Sequence, residues 1–90
     1  MAVITTDVTT TAKRVLVKND KRVMYAVLND SGYDVYIGHD KNVSTSGKTK
    51  GILVSANGGV WSDEFYKGEV WAIATGDAEV TVVEVTEEEG

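Results

Sequence analysis

The chain has 90 residues, no cysteine and no proline, and its 14 acidic residues against 9 basic ones give a net charge of −5. This length indicates one domain, and the absence of cysteine excludes disulfides and cysteine-ligated zinc. The acidic balance disfavours nucleic acid as a partner, because affinity for phosphates comes from Lys and Arg. No apolar run approaches the ~20 residues that span a bilayer, and the N-terminus lacks signal-peptide features. We expect no nucleic-acid or membrane partner and a soluble intracellular product.

Residue usage sets the expected fold class. Val occurs 15 times, Thr 10 times and Ile 4 times, and such β-branched side chains suit a sheet better than a helix. Turn-forming residues recur about every 8 to 12 residues, which is typical of a sandwich or barrel. The sequence therefore predicts a single all-β sandwich over residues 1–86 with a Greek-key or jelly-roll arrangement and an acidic tail at 87–90. We place its eight strands near 3–10, 13–18, 22–29, 33–38, 51–56, 59–62, 69–75 and 79–86.

Several of these strands are apolar on both faces. In 22–29, Tyr25 and Val27 alternate with apolar Met24, Ala26 and Leu28, and 33–38 and 70–75 behave alike. A small sandwich has one core between its two sheets, so apolar residues on an outer face need a second explanation. We expect that explanation to be an interface between subunits, with the N-terminal 3–11 segment at or near it.

The longest stretch without periodicity runs from His39 to Lys50 and is rich in Ser, Thr, Lys and Gly. Loops of this length in compact domains are usually functional or mobile, so this one is the best candidate for a surface that contacts a partner, through His39, Lys41, Lys48 and Lys50. The single histidine has no nucleophile in a recognisable setting and too few companions for a zinc site. We expect an exposed loop histidine, no catalytic activity, no metal and no cofactor.

Local signals also come from the second half of the chain. Asn57-Gly58 is a two-residue hairpin signal, because a type I′ turn needs positive φ at both central positions. Residues 63–67 could form one helical turn before Gly68 ends it. Trp61, Tyr66 and Trp71 are either core residues or an aromatic platform for a sugar or base. If they form a platform, Trp61 is its expected exposed member.

The order of segments resembles a group of small virion structural proteins of tailed bacteriophages and related viruses. The resemblance covers most of residues 13–85 and is carried by short strand motifs. The matching positions are Arg22, Asn29, Ser31, Val35-Tyr36-Ile37-Gly38, Val43-Ser44-Thr45, Gly51-Ile52-Leu53, Val70-Trp71-Ala72-Ile73-Ala74 and Val80 to Glu84. The chain departs from the pattern in lacking a Pro or Ala before Gly51, which affects the expected loop geometry more than the fold.

The resemblance implies a capsid decoration protein, or a module of a head or tail fibre, that binds the major capsid or tail protein. It further implies location in the virion after synthesis in the host cytoplasm, and self-association, with a trimer expected from the habits of decoration proteins. The alternative is a β-sandwich module that binds a carbohydrate or receptor through Trp61, Tyr66 and the 39–50 loop.

Overall fold

The computed structural model describes residues 1–87, which form eight β-strands and one short 3₁₀ turn. The expected tail at 87–90 lies outside the described residues except for Glu87, whose backbone N–H donates to the Lys21 carbonyl. The strands are β1 (Ala2–Val8), β2 (Lys13–Leu16), β3 (Arg22–Asn29), β4 (Val35–Gly38), β5 (Ile52–Val54), β6 (Gly59–Asp63), β7 (Val70–Ala74) and β8 (Ala78–Thr86), with the 3₁₀ turn at Gly47–Thr49 between β4 and β5.

The strands form two antiparallel four-stranded sheets. The first sheet has the order β1-β8-β3-β6 and the second the order β2-β7-β4-β5. Strand β1 pairs with β8, β2 with β7, β3 with β6 and β4 with β5, as though one long hairpin had been rolled up on itself. This is the jelly-roll order of two packed sheets. The predicted all-β sandwich with eight strands is confirmed.

The core lies between the inner faces of the two sheets, where alternate residues of each strand meet. It is built mostly from valine and alanine, and Tyr25 is its largest aromatic member. The fully or nearly fully buried apolar residues are Val8, Leu16, Tyr25, Val27, Val35, Ile37, Val54, Val70, Ala72, Ala74, Ala78, Val80 and Val82. Because these side chains are small, the two sheets pack close together, and the smallest dimension of the molecule is 16 Å.

Arg22, at the start of β3, is the only charged side chain that is fully buried among the described residues. Its Nε donates to Glu84 Oε2 on β8 at 2.8 Å. Its Nη atoms donate to the carbonyls of Val17 at 2.6 Å, Gly68 at 2.8 Å and Tyr66 at 3.2 Å. A buried charge is tolerated only when it is paired and hydrogen-bonded in this way, so Arg22 ties three separate segments to β3.

Asn29 likewise connects separate segments at the other end of β3. Its side-chain amide donates to the carbonyls of Tyr33 at 2.8 Å, Val54 at 3.0 Å and Ser55 at 3.3 Å. Its Oδ1 accepts from the backbone N–H and the hydroxyl of Ser31. The amide is therefore fully used, and the loops that enter β4 and leave β5 are fixed to the same residue.

Two local predictions were wrong. Asn57 and Gly58 do have positive φ values of 63° and 111°, but they connect β5 of the second sheet with β6 of the first, so they form a crossover turn rather than a hairpin. The helical turn expected at 63–67 is absent, and instead Asp63 Oδ1 accepts from the backbone N–H of Phe65 at 2.8 Å. Both segments connect the strands predicted on either side of them, but Asn57-Gly58 crosses between sheets and 63–67 is an irregular turn.

Replacing Arg22 by Ala should lower the free energy of unfolding by about 3–5 kcal/mol, because Glu84 and three carbonyls lose their donors. Arg14 provides the matched control. It pairs with Glu69 at 3.0 Å, but both side chains are almost half exposed, so Arg14→Ala should cost no more than about 1 kcal/mol. Urea denaturation followed by tryptophan fluorescence measures both, and equal losses would contradict the role given to Arg22.

Candidate functional site

The loop between β4 and β5 (residues 39–51) is anchored by Val43. This side chain is 6% exposed and lies between the end of β4 and the start of β5. A Cβ placed on Gly38 would lie 2.6 Å from Val43 Cβ, and one placed on Gly51 would lie 2.7 Å from Val43 Cγ2. The two glycines therefore give Val43 the room it needs, which explains why a Val-centred loop is flanked by Gly on both sides.

Hydrogen bonds hold the rest of this loop together. Ser44 forms a parallel bridge with Lys50, and its hydroxyl lies 2.8 Å from that of Thr49. Asp40 Oδ1 accepts from the backbone N–H of Asn42 at 2.8 Å. The stretch predicted to be functional or mobile is thus a compact loop with its own buried residue and its own hydrogen bonds, of the kind that frequently carries function.

His39 stacks on Tyr66. The ring centroids are 3.5 Å apart and the rings are inclined by 7°. Tyr66 is held in turn through its carbonyl, which accepts from Arg22. Burial, and then the nearby Glu69 carboxylate, raise the pKa of the Tyr66 hydroxyl, so it stays protonated at neutral pH. The histidine is exposed, as expected, but its ring has a fixed orientation.

The structure separates the predicted contact residues into three groups. His39 and Lys50 line the same groove, of about 370 Å³, between β4 and β5, and Lys50 Nζ lies 5.8 Å from the centroid of the Tyr36 ring. Lys41 and Lys48 are exposed on the same loop but do not line the groove. Trp61 lies elsewhere, on β6 of the first sheet.

The three aromatic residues form no common platform, and of the two alternatives given for them Trp61 follows the first, as a residue that packs against the core. Trp61 pairs with buried Val27 and packs against the core, where its Nε1 donates to the Tyr25 hydroxyl at 3.1 Å. Trp71 lies on the outer face of the other sheet, where its Nε1 donates to Glu69. The alternation of β6 puts Trp61 inside because the strand follows a crossover, which the local sequence does not reveal.

The outer face of the β1-β8-β3-β6 sheet is apolar, and we call it the first-sheet outer face. Register places its side chains in adjacent rows, since Val3 pairs with Val83, Val83 with Ala26, and Leu28 with Val60. Val60 is 61% exposed and Val3 58% exposed. The apolar members of this face are Val3, Met24, Ala26, Leu28, Val60, Val83 and Val85. The sequence analysis predicted an apolar outer face from strands that are apolar on both sides. The structure places such a face on the first sheet, and nothing within the described residues covers it.

The outer face of the second sheet is also partly apolar. Tyr36 pairs with Ile73 on one side and with Leu53 on the other. Next to this row, the Glu69 carboxylate accepts hydrogen bonds from Trp71 and Arg14. Both bonds lower the pKa of this carboxyl group, and the bond from Trp71 has the larger effect. Charged groups thus border this face, and the paired Asp7 and Glu79 likewise lie at one end of the first-sheet outer face, whose other positions carry Val, Leu, Met, Ala, Ser and Thr.

Residues 1–87 contain no group of three or more acidic or histidine side chains placed to hold a metal ion. No helix in the same residues is long and apolar enough to cross a bilayer. A scan against protein-family models found no matching family, and searches of the curated proteins and of the solved structures found no match either.

Replacing Gly38 by Ala should destabilise the protein by about 1–3 kcal/mol, because the new methyl group collides with Val43 and overpacks the loop anchor. Gly32→Ala is the control, since a Cβ there meets nothing within 4 Å. Urea denaturation gives the two losses, and an undisturbed Gly38→Ala variant would show that Val43 does not fix the loop.

The buried phenol of Tyr25 predicts a loss of stability at alkaline pH. Burial raises its pKa above the ordinary value of 10.0, so its stabilising contribution is complete below pH 10 and is lost as pH rises through the higher value of the folded state. Tyr25→Phe should start about 1 kcal/mol less stable, because Trp61 loses its acceptor, but should lose less stability above pH 10. Urea denaturation at neutral and alkaline pH measures this difference, and parallel losses would contradict it.

Proposed function

We propose that the protein is a virion structural protein that attaches as a closed homo-oligomer to an assembled viral shell. The observation that carries the proposal is the first-sheet outer face. Monomeric soluble proteins rarely leave a large contiguous apolar surface open, and such a surface marks an interaction site. Here its members lie on all four strands of one sheet in a molecule of only 90 residues.

The chemistry of the buried polar residues supports a structural role. Arg22 and Asn29 are the two buried polar side chains of the described residues, and each is fully used in holding backbone carbonyls. Both also belong to the motif that resembles the small virion proteins, together with Ser31. The most distinctive polar positions of the resemblance therefore act in fold construction, as a protein whose task is to form a rigid scaffold requires.

A decoration protein stabilises a shell by binding the assembled state better than the free subunits, and many copies add weak contacts through avidity. We propose that copies of this chain associate through the first-sheet outer face, with three as the expected number, and that the polar 39–50 loop contacts the major capsid or tail protein. Closed symmetry covers an apolar face in every copy. The protein then resides in the virion after synthesis in the host cytoplasm.

Val3→Glu and Val60→Glu should convert the oligomer to monomer, because each places a carboxylate within the proposed apolar contact, one on each edge strand of the sheet. Val17→Glu is the matched control, since Val17 is also 58% exposed but lies between β2 and β3, off that face. Sedimentation equilibrium should show an oligomer for wild type and the control and a monomer for the two variants. A monomeric wild-type protein at micromolar concentration would reject the oligomer.

Replacing Lys41, Lys48 and Lys50 together with Ala should weaken attachment to the shell and make it less dependent on salt, if the loop meets an acidic capsid surface. Stability should change by no more than about 0.5 kcal/mol, because all three side chains are exposed. Co-sedimentation with particles that lack the protein measures attachment. Wild-type protein that remains in the supernatant at every salt concentration would reject the shell as partner.

The alternative of a carbohydrate- or receptor-binding module loses its proposed platform, because Trp61 is turned into the core. The groove beside His39 is independent of that platform.

A further inference from the structure

The groove between β4 and β5 has walls of mixed polarity around an apolar base. His39 and Asp40 lie on the β4 side, Asn42 in the loop, and Thr49 and Lys50 on the β5 side. Ile37, Val43 and Ile52 supply the apolar part of the lining. A volume of about 370 Å³ falls at the lower end of the range of small-molecule sites, about 300–1,000 Å³.

Several polar groups of this groove are available for a ligand. Within residues 1–87, no protein group forms a hydrogen bond with the imidazole nitrogens of His39, the side-chain amide of Asn42 or the ammonium group of Lys50. Asp40 uses one carboxylate oxygen, Oδ1, for the Asn42 backbone. The groove thus presents donors and acceptors close together whose hydrogen bonds the described residues do not use, while the His39 ring stacks on Tyr66 and Lys50 Nζ lies 5.8 Å from the Tyr36 ring centroid.

The charge of the groove selects the class of ligand. Asp40 opposes a simple anion and Lys50 opposes a simple cation, so neither ion is matched by the whole lining. A hydroxyl group both donates and accepts hydrogen bonds, and it can therefore use a carboxylate, an amide and an ammonium group at once. A neutral polyhydroxylated molecule satisfies these groups, and Ile52, which is 38% exposed, offers an apolar surface to its C–H groups.

The walls are fixed before any ligand arrives. The His39 ring is held parallel to Tyr66 at 3.5 Å, and the loop wall is held by buried Val43 and by the Ser44–Thr49 hydroxyl contact. A site whose side chains and backbone are already ordered loses less entropy on binding. The ordered parts of the groove are therefore the His39 ring and the loop backbone, and they position the exposed Asn42 side chain for a ligand.

We propose that this groove binds a neutral saccharide unit, with Asp40, Asn42 and Lys50 hydrogen-bonding its hydroxyl groups and the stacked His39 forming one wall. The groove lies on the other sheet from the first-sheet outer face, so the inference does not rest on self-association. It uses the same 39–50 loop that we propose for the shell contact. It gives the protein a second activity, recognition of glycans.

The test is a printed array of neutral and anionic glycans, followed by calorimetric titration of the wild-type protein with the neutral glycan that binds best. Asn42→Ala and Asp40→Asn should each weaken binding at least tenfold. The Asn42 side chain is exposed and has no protein partner in the part of the chain described, so its removal should leave the fold unchanged, which thermal unfolding checks.

Lys41→Ala and Lys48→Ala are the matched controls, because both residues lie on the same loop outside the groove, and they should bind the glycan like wild type. Absence of binding to every neutral glycan at millimolar concentration would overturn the proposal, as would capture of anionic glycans alone. Glycan binding that both groove variants retain would place the site elsewhere. Lys41→Ala combined with Lys48→Ala should weaken shell attachment while keeping glycan binding, because both residues lie outside the groove. Val60→Glu should lose self-association and still bind the glycan, so failure of one function is distinguishable from failure of the other.

Discussion

A single buried guanidinium holds together the end of the sandwich at which three loops meet. Arg22 joins the start of β3 to Glu84 on β8, to the β2–β3 loop through Val17, and to the β6–β7 loop through Tyr66 and Gly68. Removing this charge from water is costly, and the cost is offset only because each bond has good geometry. The same bonds place Tyr66, which fixes His39, so the order of the groove depends on a residue that does not line it.

The jelly-roll topology explains why such anchors are required. Of the seven connections between the strands, only that between β4 and β5 stays within one sheet, and the others cross from sheet to sheet. Crossing segments cannot rely on the hydrogen bonds of a hairpin, so their backbone groups need side-chain partners. Arg22 and Asn29 provide these partners at the two ends of β3. Both residues bring together segments that are distant in the sequence, and we expect such long-range contacts to make folding slow.

The positions of all eight strands and the two-sided character of β3, β4 and β7 could be predicted from the sequence, because alternation and turn residues are local signals. The pairing of distant strands could not. Asn57-Gly58 specifies a turn with positive φ but not which sheets it joins, and so the hairpin prediction failed. The choice between core and platform for Trp61 stayed open for the same reason, since the face of β6 that meets the core depends on how distant strands pack.

The groove shows a different limit of prediction from the sequence. His39, Lys50 and the loop length could be read from the chain, but the stack with Tyr66 joins residues that are 27 positions apart in sequence. The buried Val43 between Gly38 and Gly51 is a signal that could have been found, because a lone apolar residue in a polar loop flanked by glycines indicates an anchor.

The edge of the first sheet favours association through its face rather than through strand addition. Lys13 Nζ donates to the carbonyl of Asp7 and to the Thr6 hydroxyl, and so it covers the second half of β1, one of the two edge strands of this sheet beside β6 at the other edge. A lysine at an edge is a common device against the pairing of edges between molecules. Edge-to-edge addition can continue without limit, whereas packing of one face closes the assembly. An edge protected by Lys13 beside an open apolar face is therefore the combination expected of a chain that forms small closed oligomers rather than fibres.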